Sequence, residues 1–167
     1  MAAIAAPDDA AAFAAWVQPA WVAMARLARR LAPHADADDV VQDALARAWR
    51  KRASFDPDRG TPTTWLLAIT ADQARAARRS RLRHLRLVDE TVEMPDVADV
   101  ARQADLDLER AINRLPQRQQ LAVQLHYYVG LPVEETAAVM SCSVGTVKST
   151  LFDARTKLRR LLGDTDD

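Results

Sequence analysis

Apolar residues recur along this chain with a spacing of three and four, and strand-like alternation of β-branched residues is nearly absent. The pattern predicts an all-α protein. Twelve of the first 25 residues are alanine, a strong helix former. Pro19 suits the first turn of a helix running to about residue 31, which Ala32 and Pro33 end. Asp36 is placed to cap the next helix, with Asp38 and Asp39 favouring its positive end. In that helix Val40, Val41, Ala44, Leu45, Ala48 and Trp49 form one stripe, broken after Arg52. Residues 55–64, FDPDRGTPTT, combine Pro, Gly and Asp and predict a loop. Thr61 and Pro62 then start a third helix through Trp65, Leu66 and Ile69 into an arginine-rich end at residues 75–86.

Residues 87–105 break the pattern. They are acidic, contain Pro95 and lack an aromatic residue, so they predict a linker whose C-terminal end is helical. A second helical cluster follows, beginning with a helix at about residues 105–114. Pro116 opens the next helix, which stops at Gly130. Pro132 opens a short one that ends near Met140. Ser141, Cys142 and Ser143 make a turn, and Ser143 caps a last helix with its apolar seam at Val144, Val147, Leu151, Ala154, Leu158 and Leu161. The expected architecture is two small helical domains, residues 1–86 and 106–167, joined by the acidic linker.

Composition narrows the class. The chain has 167 residues, 49% hydrophobic and 28% charged, which supports packed cores rather than global disorder. No run approaches the ~18 apolar residues of a membrane span. The first residues carry no Lys or Arg before Arg26, unlike a secretory signal. A single cysteine excludes an internal disulfide, and three scattered histidines offer no zinc cluster. A soluble cytoplasmic protein without membrane insertion, metal or cofactor is expected.

The net charge is zero, from 23 basic and 23 acidic residues. That argues against a nucleic-acid binder only until the charge is divided along the chain. Residues 26–86 carry +7, residues 87–109 carry −7 and residues 141–162 carry +4. Two basic blocks flank an acidic stretch, the asymmetry expected of a nucleic-acid binder.

A short helix, a tight turn and a longer basic helix form the helix-turn-helix pattern, whose second helix enters a major groove at its N-terminal end. Here the outward positions near that end are Thr146, Lys148, Ser149, Thr150 and Phe152. Lys148 and Ser149 can hydrogen-bond base edges or phosphate, and Phe152 can touch a thymine methyl. Arg155, Lys157, Arg159 and Arg160 suit phosphate. The competing reading is a helical hairpin with a basic solvent face.

At residues 115–162 the chain resembles the C-terminal promoter-reading domain of bacterial sigma-70 family factors, nearest to the extracytoplasmic-function (ECF) group. The leading Leu-Pro, the stretch GLPVEETA and the stretch CSVGTVKS carry the resemblance. It implies recognition of the upstream (−35) promoter element as duplex by Thr146, Lys148, Ser149, Thr150, Phe152 and Arg155. The family usually has basic residues where this chain has Thr150 and Asp153, and Asp153 repels phosphate.

Residues 36–56, DADDVVQDALARAWRKRASFD, resemble the family's polymerase-binding helix. The resemblance implies docking on a coiled coil of the largest polymerase subunit (β′). Asp38, Asp39, Gln42 and Asp43 would form the acidic surface, with Val41 and Leu45 as its apolar centre. The alternative is that the apolar set is simply core. Residues 64–83 resemble the segment that reads and opens the downstream (−10) element. Arg75, Arg78, Arg79, Arg81 and Arg83 can neutralise phosphates, and Asp72 and Gln73 lie beside them. In the family the preceding loop captures a flipped base, which implies a role for Asp56, Arg59 and Thr63. An Asn common in the family is Asp72 here, and an Asp one turn later is Ala76.

Two other function classes fit these residues less well. No Ser/His/Asp, Cys/His or paired-carboxylate arrangement and no phosphate-cradling glycine loop supports an enzyme. A conventional helix-turn-helix repressor would carry a ligand pocket or dimer seam in place of the acid-Gln and arginine-rich helices. The resemblance therefore implies a non-catalytic initiation factor. Its partners would be core RNA polymerase (β′ coiled coil and β flap), promoter DNA and an anti-sigma factor.

Overall fold

The computed structural model describes residues 6–33, 35–87 and 100–163, and every regular element among them is helical. Eight α-helices follow in order: α1 (Ala10–Val17), α2 (Trp21–Leu31), α3 (Ala37–Lys51), α4 (Pro62–Leu87), α5 (Val100–Asn113), α6 (Gln117–Val123), α7 (Val133–Val139) and α8 (Val144–Leu162). Most boundaries follow from local chemistry. The Asp36 carboxylate accepts the Asp38 N–H at 2.8 Å and starts α3. The Ser143 hydroxyl accepts the Thr146 N–H at 3.1 Å and starts α8. Gly130 ends the helical run after Pro116 with φ of 86°, a conformation that costs glycine least.

Three boundaries differ from expectation. The alanine-rich start forms a separate helix, α1, because the Asp9 carboxylate caps it by accepting the Ala12 N–H at 2.9 Å. Pro19, lacking an N–H, then sits in a 3₁₀ turn, Gln18–Ala20, that re-aims the chain into α2. The helix expected from residue 105 begins at Val100. The linker expected at residues 87–105 otherwise lies largely outside the described residues. After α6 the helix widens into a π segment, Gln124–Val129, which no spacing in the sequence signals.

The core of α1–α4 gathers Met24, Leu27, Leu66 and Leu67, all fully buried. Each such side chain contributes about 1.5–3 kcal/mol by leaving water. A second cluster joins Ile112, Leu115, Val123, Val147, Leu151 and Ala154 from α5, the turn after it, α6 and α8. The halves are in contact. Leu121, Leu125, Leu131 and Val139, all from beyond residue 115, are buried within the first cluster.

Candidate nucleic-acid and polymerase interfaces

Three surfaces carry the predicted side chains. The first is the outer face of α3. Asp38, Asp39, Gln42 and Asp43 are all exposed there, and none takes part in an ion pair among the described residues. Leu45 is half-buried at the edge of this face. Val41 does not belong to it. It is 2% exposed and packed in the core, because the stripe that faces α2 and α4 turns it inward. Of the two apolar positions offered for the interface, only Leu45 retains surface to give.

The second surface is the loop of residues 55–61 with the start of α4. The Asp56 carboxylate accepts the Asp58 N–H at 3.0 Å, and the Arg59 N–H donates to the Asp56 carbonyl at 3.1 Å. These bonds fold the loop into a tight turn. Thr61 caps α4, its hydroxyl accepting the Thr64 N–H at 3.2 Å. A side chain at Gly60 would bring its Cβ to 2.7 Å from the Thr64 hydroxyl, so any other residue there would force the hydroxyl or the loop to shift. The result is a cavity of about 170 Å³ lined by Phe55, Asp56, Arg59, Gly60, Thr64 and Trp65, together with Ala138 and Ser141 from the C-terminal half. Asp56 and Arg59 thus meet at one cavity. Thr63 is half-buried and is not among its lining residues.

The loop rests on an aromatic cluster that the sequence reading missed. Trp16 of α1 meets Phe55 edge-on with ring centroids 5.2 Å apart and Trp65 at 5.9 Å. Phe55 and Trp65 lie 5.6 Å apart, and Phe13 stacks on Trp16 at 5.7 Å and meets Trp49 at 5.1 Å. The available signal was the i, i+3 pair Phe13 and Trp16 in an otherwise alanine-rich helix. Arg52 fastens the same region, its guanidinium 4.1 Å over the Trp49 ring and its Nη1 donating to the Trp49 carbonyl at 2.9 Å.

Along α4 the polar row is only partly open. Arg79, Arg81 and Arg83 are exposed, whereas Arg75 and Arg78 are half-buried. Asp72 accepts from Arg75 Nη1 at 3.4 Å, and Gln73 is half-buried beside them. Arg78 Nη1 donates to Gln120 Oε1 of α6 at 2.9 Å.

The third surface is the front of α8. Lys148, Ser149, Phe152 and Arg155 are exposed, with Phe152 at 62%, and Thr146 is half-buried. Thr150, expected on this front, does not lie on it. It is 9% exposed, and its hydroxyl donates to the Thr146 carbonyl at 2.7 Å, so it faces the helix and the interior and not a groove. The turn before α8 holds the half-buried, unpaired Cys142, and Ser141 adopts φ of 51°. Among the described residues no cluster of ligating side chains suited to a metal occurs, and no helix is long and apolar enough to cross a membrane.

This layout recurs in known proteins. Residues 22–84 match the family "Sigma-70 region 2" and residues 105–158 match "Sigma-70, region 4". The ECF RNA polymerase sigma factor EcfG of Rhodopseudomonas palustris is 36% identical over 129 residues, covering 75% of this chain and 71% of EcfG. The ECF sigma-E factor of Escherichia coli K12 is 31% identical over 147 residues, 79% of this chain and 76% of its own. Among solved structures, CnrH in complex with the cytosolic domain of CnrY superposes with a TM-score of 0.70 at 31% identity, covering 98% of this chain and 94% of that one. The sigma factor RpoE of Bartonella quintana, in complex with the anti-sigma factor NepR, gives 0.66 at 29% identity over 93% and 98%. The chain belongs to the ECF group of the sigma-70 family, the non-enzymatic factors that bind core RNA polymerase and direct promoter-specific initiation of transcription.

Proposed function

We propose how the work of the initiation factor is divided over these surfaces. The N-terminal domain, residues 1–86, docks on the β′ coiled coil of the polymerase through Asp38, Asp39, Gln42 and Asp43, with Leu45 at the rim. The observation that carries this assignment is the exposed acid-Gln face of α3, free of ion pairs among the described residues. Four acceptor-rich side chains on a rigid helix suit a basic partner, and steering by such a face raises the association rate.

The same domain reads and holds the melted downstream element. The row Arg75, Arg78, Arg79, Arg81 and Arg83 follows the phosphates, with Asp72 and Gln73 at its N-terminal end. Asp56, Arg59 and the Gly60 backbone face an unstacked base in the loop cavity. Thr63 stands half-buried in the first turn of α4, outside the lining of that cavity. In the C-terminal domain, residues 106–167, Lys148, Ser149, Phe152 and Arg155 read the upstream element in the major groove, with Thr146 at the helix start. The β flap would hold this domain. The acidic residues 87–105 would thread a positively charged channel of the polymerase, which their share of the −7 charge favours and which discourages binding to free DNA.

An anti-sigma factor is the expected restraint, since both structural neighbours were solved with a bound partner, NepR being an anti-sigma factor. The factor acts on cytoplasmic polymerase and carries out no chemistry itself. Run-off transcription with core polymerase on fragmented genomic DNA tests the reading. Discrete promoter-dependent transcripts that require the chain support it, and transcripts identical with and without the chain refute it.

A further inference from the structure

The row that packs α4 against its neighbours changes character at its C-terminal end. Ala74 is fully buried, Arg78 one turn on is half-buried, and Leu82 one turn further is 49% exposed. Beside it α2 ends at Leu31, and the chain turns, with the Ala35 N–H donating to the Ala32 carbonyl at 3.0 Å. Leu82 bounds a cavity of about 230 Å³ there, together with Ala32, Pro33, Ala35 and Ala77. Alanine side chains end at Cβ, so nothing fills the space from below. These five side chains make an apolar floor without a hydrogen-bonding group.

The rim is of opposite character. Arg78, Arg81 and Asn113 complete the lining, and no carboxylate is among the described residues that form it. Arg78 Nη1 donates to Gln120 Oε1 at 2.9 Å, and Asn113 Oδ1 accepts from Gln120 Nε2 at 2.9 Å. The Asn113 oxygen is therefore taken, while its Nδ2 hydrogens are unused among the described residues. Arg81 is exposed and takes part in no ion pair among them. What the rim has left to offer is N–H donors and positive charge. Arg75 and Arg79 line the adjoining cavity with Arg78 and Leu82 and strengthen the positive field.

We propose that this cavity binds a small amphiphilic carboxylate. Its hydrocarbon part lies between Leu82 and the alanines, and its carboxylate is held by Arg81 and the Asn113 amide. The planar fork of a guanidinium matches the two oxygens of a carboxylate. One unpaired guanidinium balances one negative charge, which favours a monoanion over a phosphate ester. The volume lies below the roughly 300–1,000 Å³ of drug-sized sites, so the ligand is short. The site goes beyond the role in initiation and does not depend on it. One consequence does rest on that reading. Arg81 also stands in the row assigned to downstream-element phosphates, so a bound carboxylate would compete with DNA for it.

The test titrates octanoate into the isotope-labelled full chain, followed by two-dimensional NMR at the Ala77 and Leu82 amides, with octanamide as the neutral counterpart. Octanoate should saturate one site below about 10 mM, the weak limit for a ligand of this size. Octanamide should bind at least about ten-fold more weakly, because the charge-assisted hydrogen bond is lost. Arg81→Gln should lower octanoate affinity by a similar factor, and Ala77→Leu, which fills the cavity, should abolish binding. If Ala77→Leu lowers helix content by circular dichroism, Leu82→Ala takes its place. It removes one wall at an exposed position and should weaken binding about five-fold. Equal binding of octanoate and octanamide overturns the proposal, as does unchanged affinity in Arg81→Gln or in the cavity variant. So does a titration without saturation at these amides. Saturable binding with unchanged run-off transcription keeps the site and overturns only the competition for Arg81. Loss of promoter-dependent run-off by the wild-type chain without octanoate is a failure of the initiation function.

Discussion

Replacing Trp16 separates the loop's support from its chemistry. Trp16 is half-buried, contacts Phe13, Phe55 and Trp65 through ring centroids 5.2–5.9 Å apart, and lies before the family match that begins at residue 22. Trp16→Ala removes three aromatic pairs worth about 0.5–1.5 kcal/mol each beyond their buried area. It also leaves space that the rigid helices fill only in part, so the total loss is about 3 kcal/mol, the low end for a buried aromatic. Trp16→Phe should cost far less. It keeps much of the ring, and it removes an indole N–H that is buried without an acceptor, a burden of about 1–3 kcal/mol. Urea unfolding followed by circular dichroism measures both. In transcription assays Trp16→Ala should slow open-complex formation, because Phe55 and Trp65 flank the loop cavity, while co-purification with core polymerase through α3 stays normal. Equal destabilisation by Ala and Phe would refute the reasoning about the orphan N–H. Unchanged open-complex formation by a Trp16→Ala chain that is measurably destabilised would refute the link between cluster and loop.

Asp39→Arg combined with Gln42→Ala should abolish co-purification with core polymerase and leave helix content unchanged, since both side chains are exposed. Arg78→Ala with Arg79→Ala should slow open-complex formation and reduce the slope of log K against log salt by about 1.4, two phosphates at ~0.7 each for a single strand. Lys148→Ala should weaken only promoters that need the upstream element, and equal loss on promoters lacking it would contradict the assignment. Thr150→Val should leave promoter choice unaltered in run-off assays, because its hydroxyl is spent on the Thr146 carbonyl, whereas Phe152→Ala should weaken upstream-element binding.

Local chemistry made much of the fold legible. Asp36 and Ser143 cap the helices they were expected to cap, Pro62 opens α4, and Gly130 stops the run from Pro116. These features depend on a few neighbouring residues, so a linear reading reaches them. The seam of α8 was equally legible, with Val147, Leu151 and Ala154 buried as their spacing implied. The site was legible as a set of residue types but less so as a surface. Val41 and Thr150 sit at positions whose exposure depends on which neighbour packs against the helix, and both proved buried. Of the aromatic cluster only the Phe13 and Trp16 pair is local, because Trp49, Phe55 and Trp65 join it from distant positions.

The amino-acid sequence by itself determined the all-α class, the caps, the helix-turn-helix and the segregation of charge, because each rests on side chains within one or two helical turns. The same segregation explains how a chain of zero net charge concentrates a row of arginines on one helix. Only the tertiary structure decided which of those arginines are open. Arg78 finds Gln120 across 42 positions of sequence, and Arg30 finds Glu109 across 79. Such contacts form because burying Leu125, Leu131 and Val139 together with the N-terminal core brings the two halves face to face. Burial of apolar area is non-directional and has no sequence range, so no local pattern announces which faces will meet.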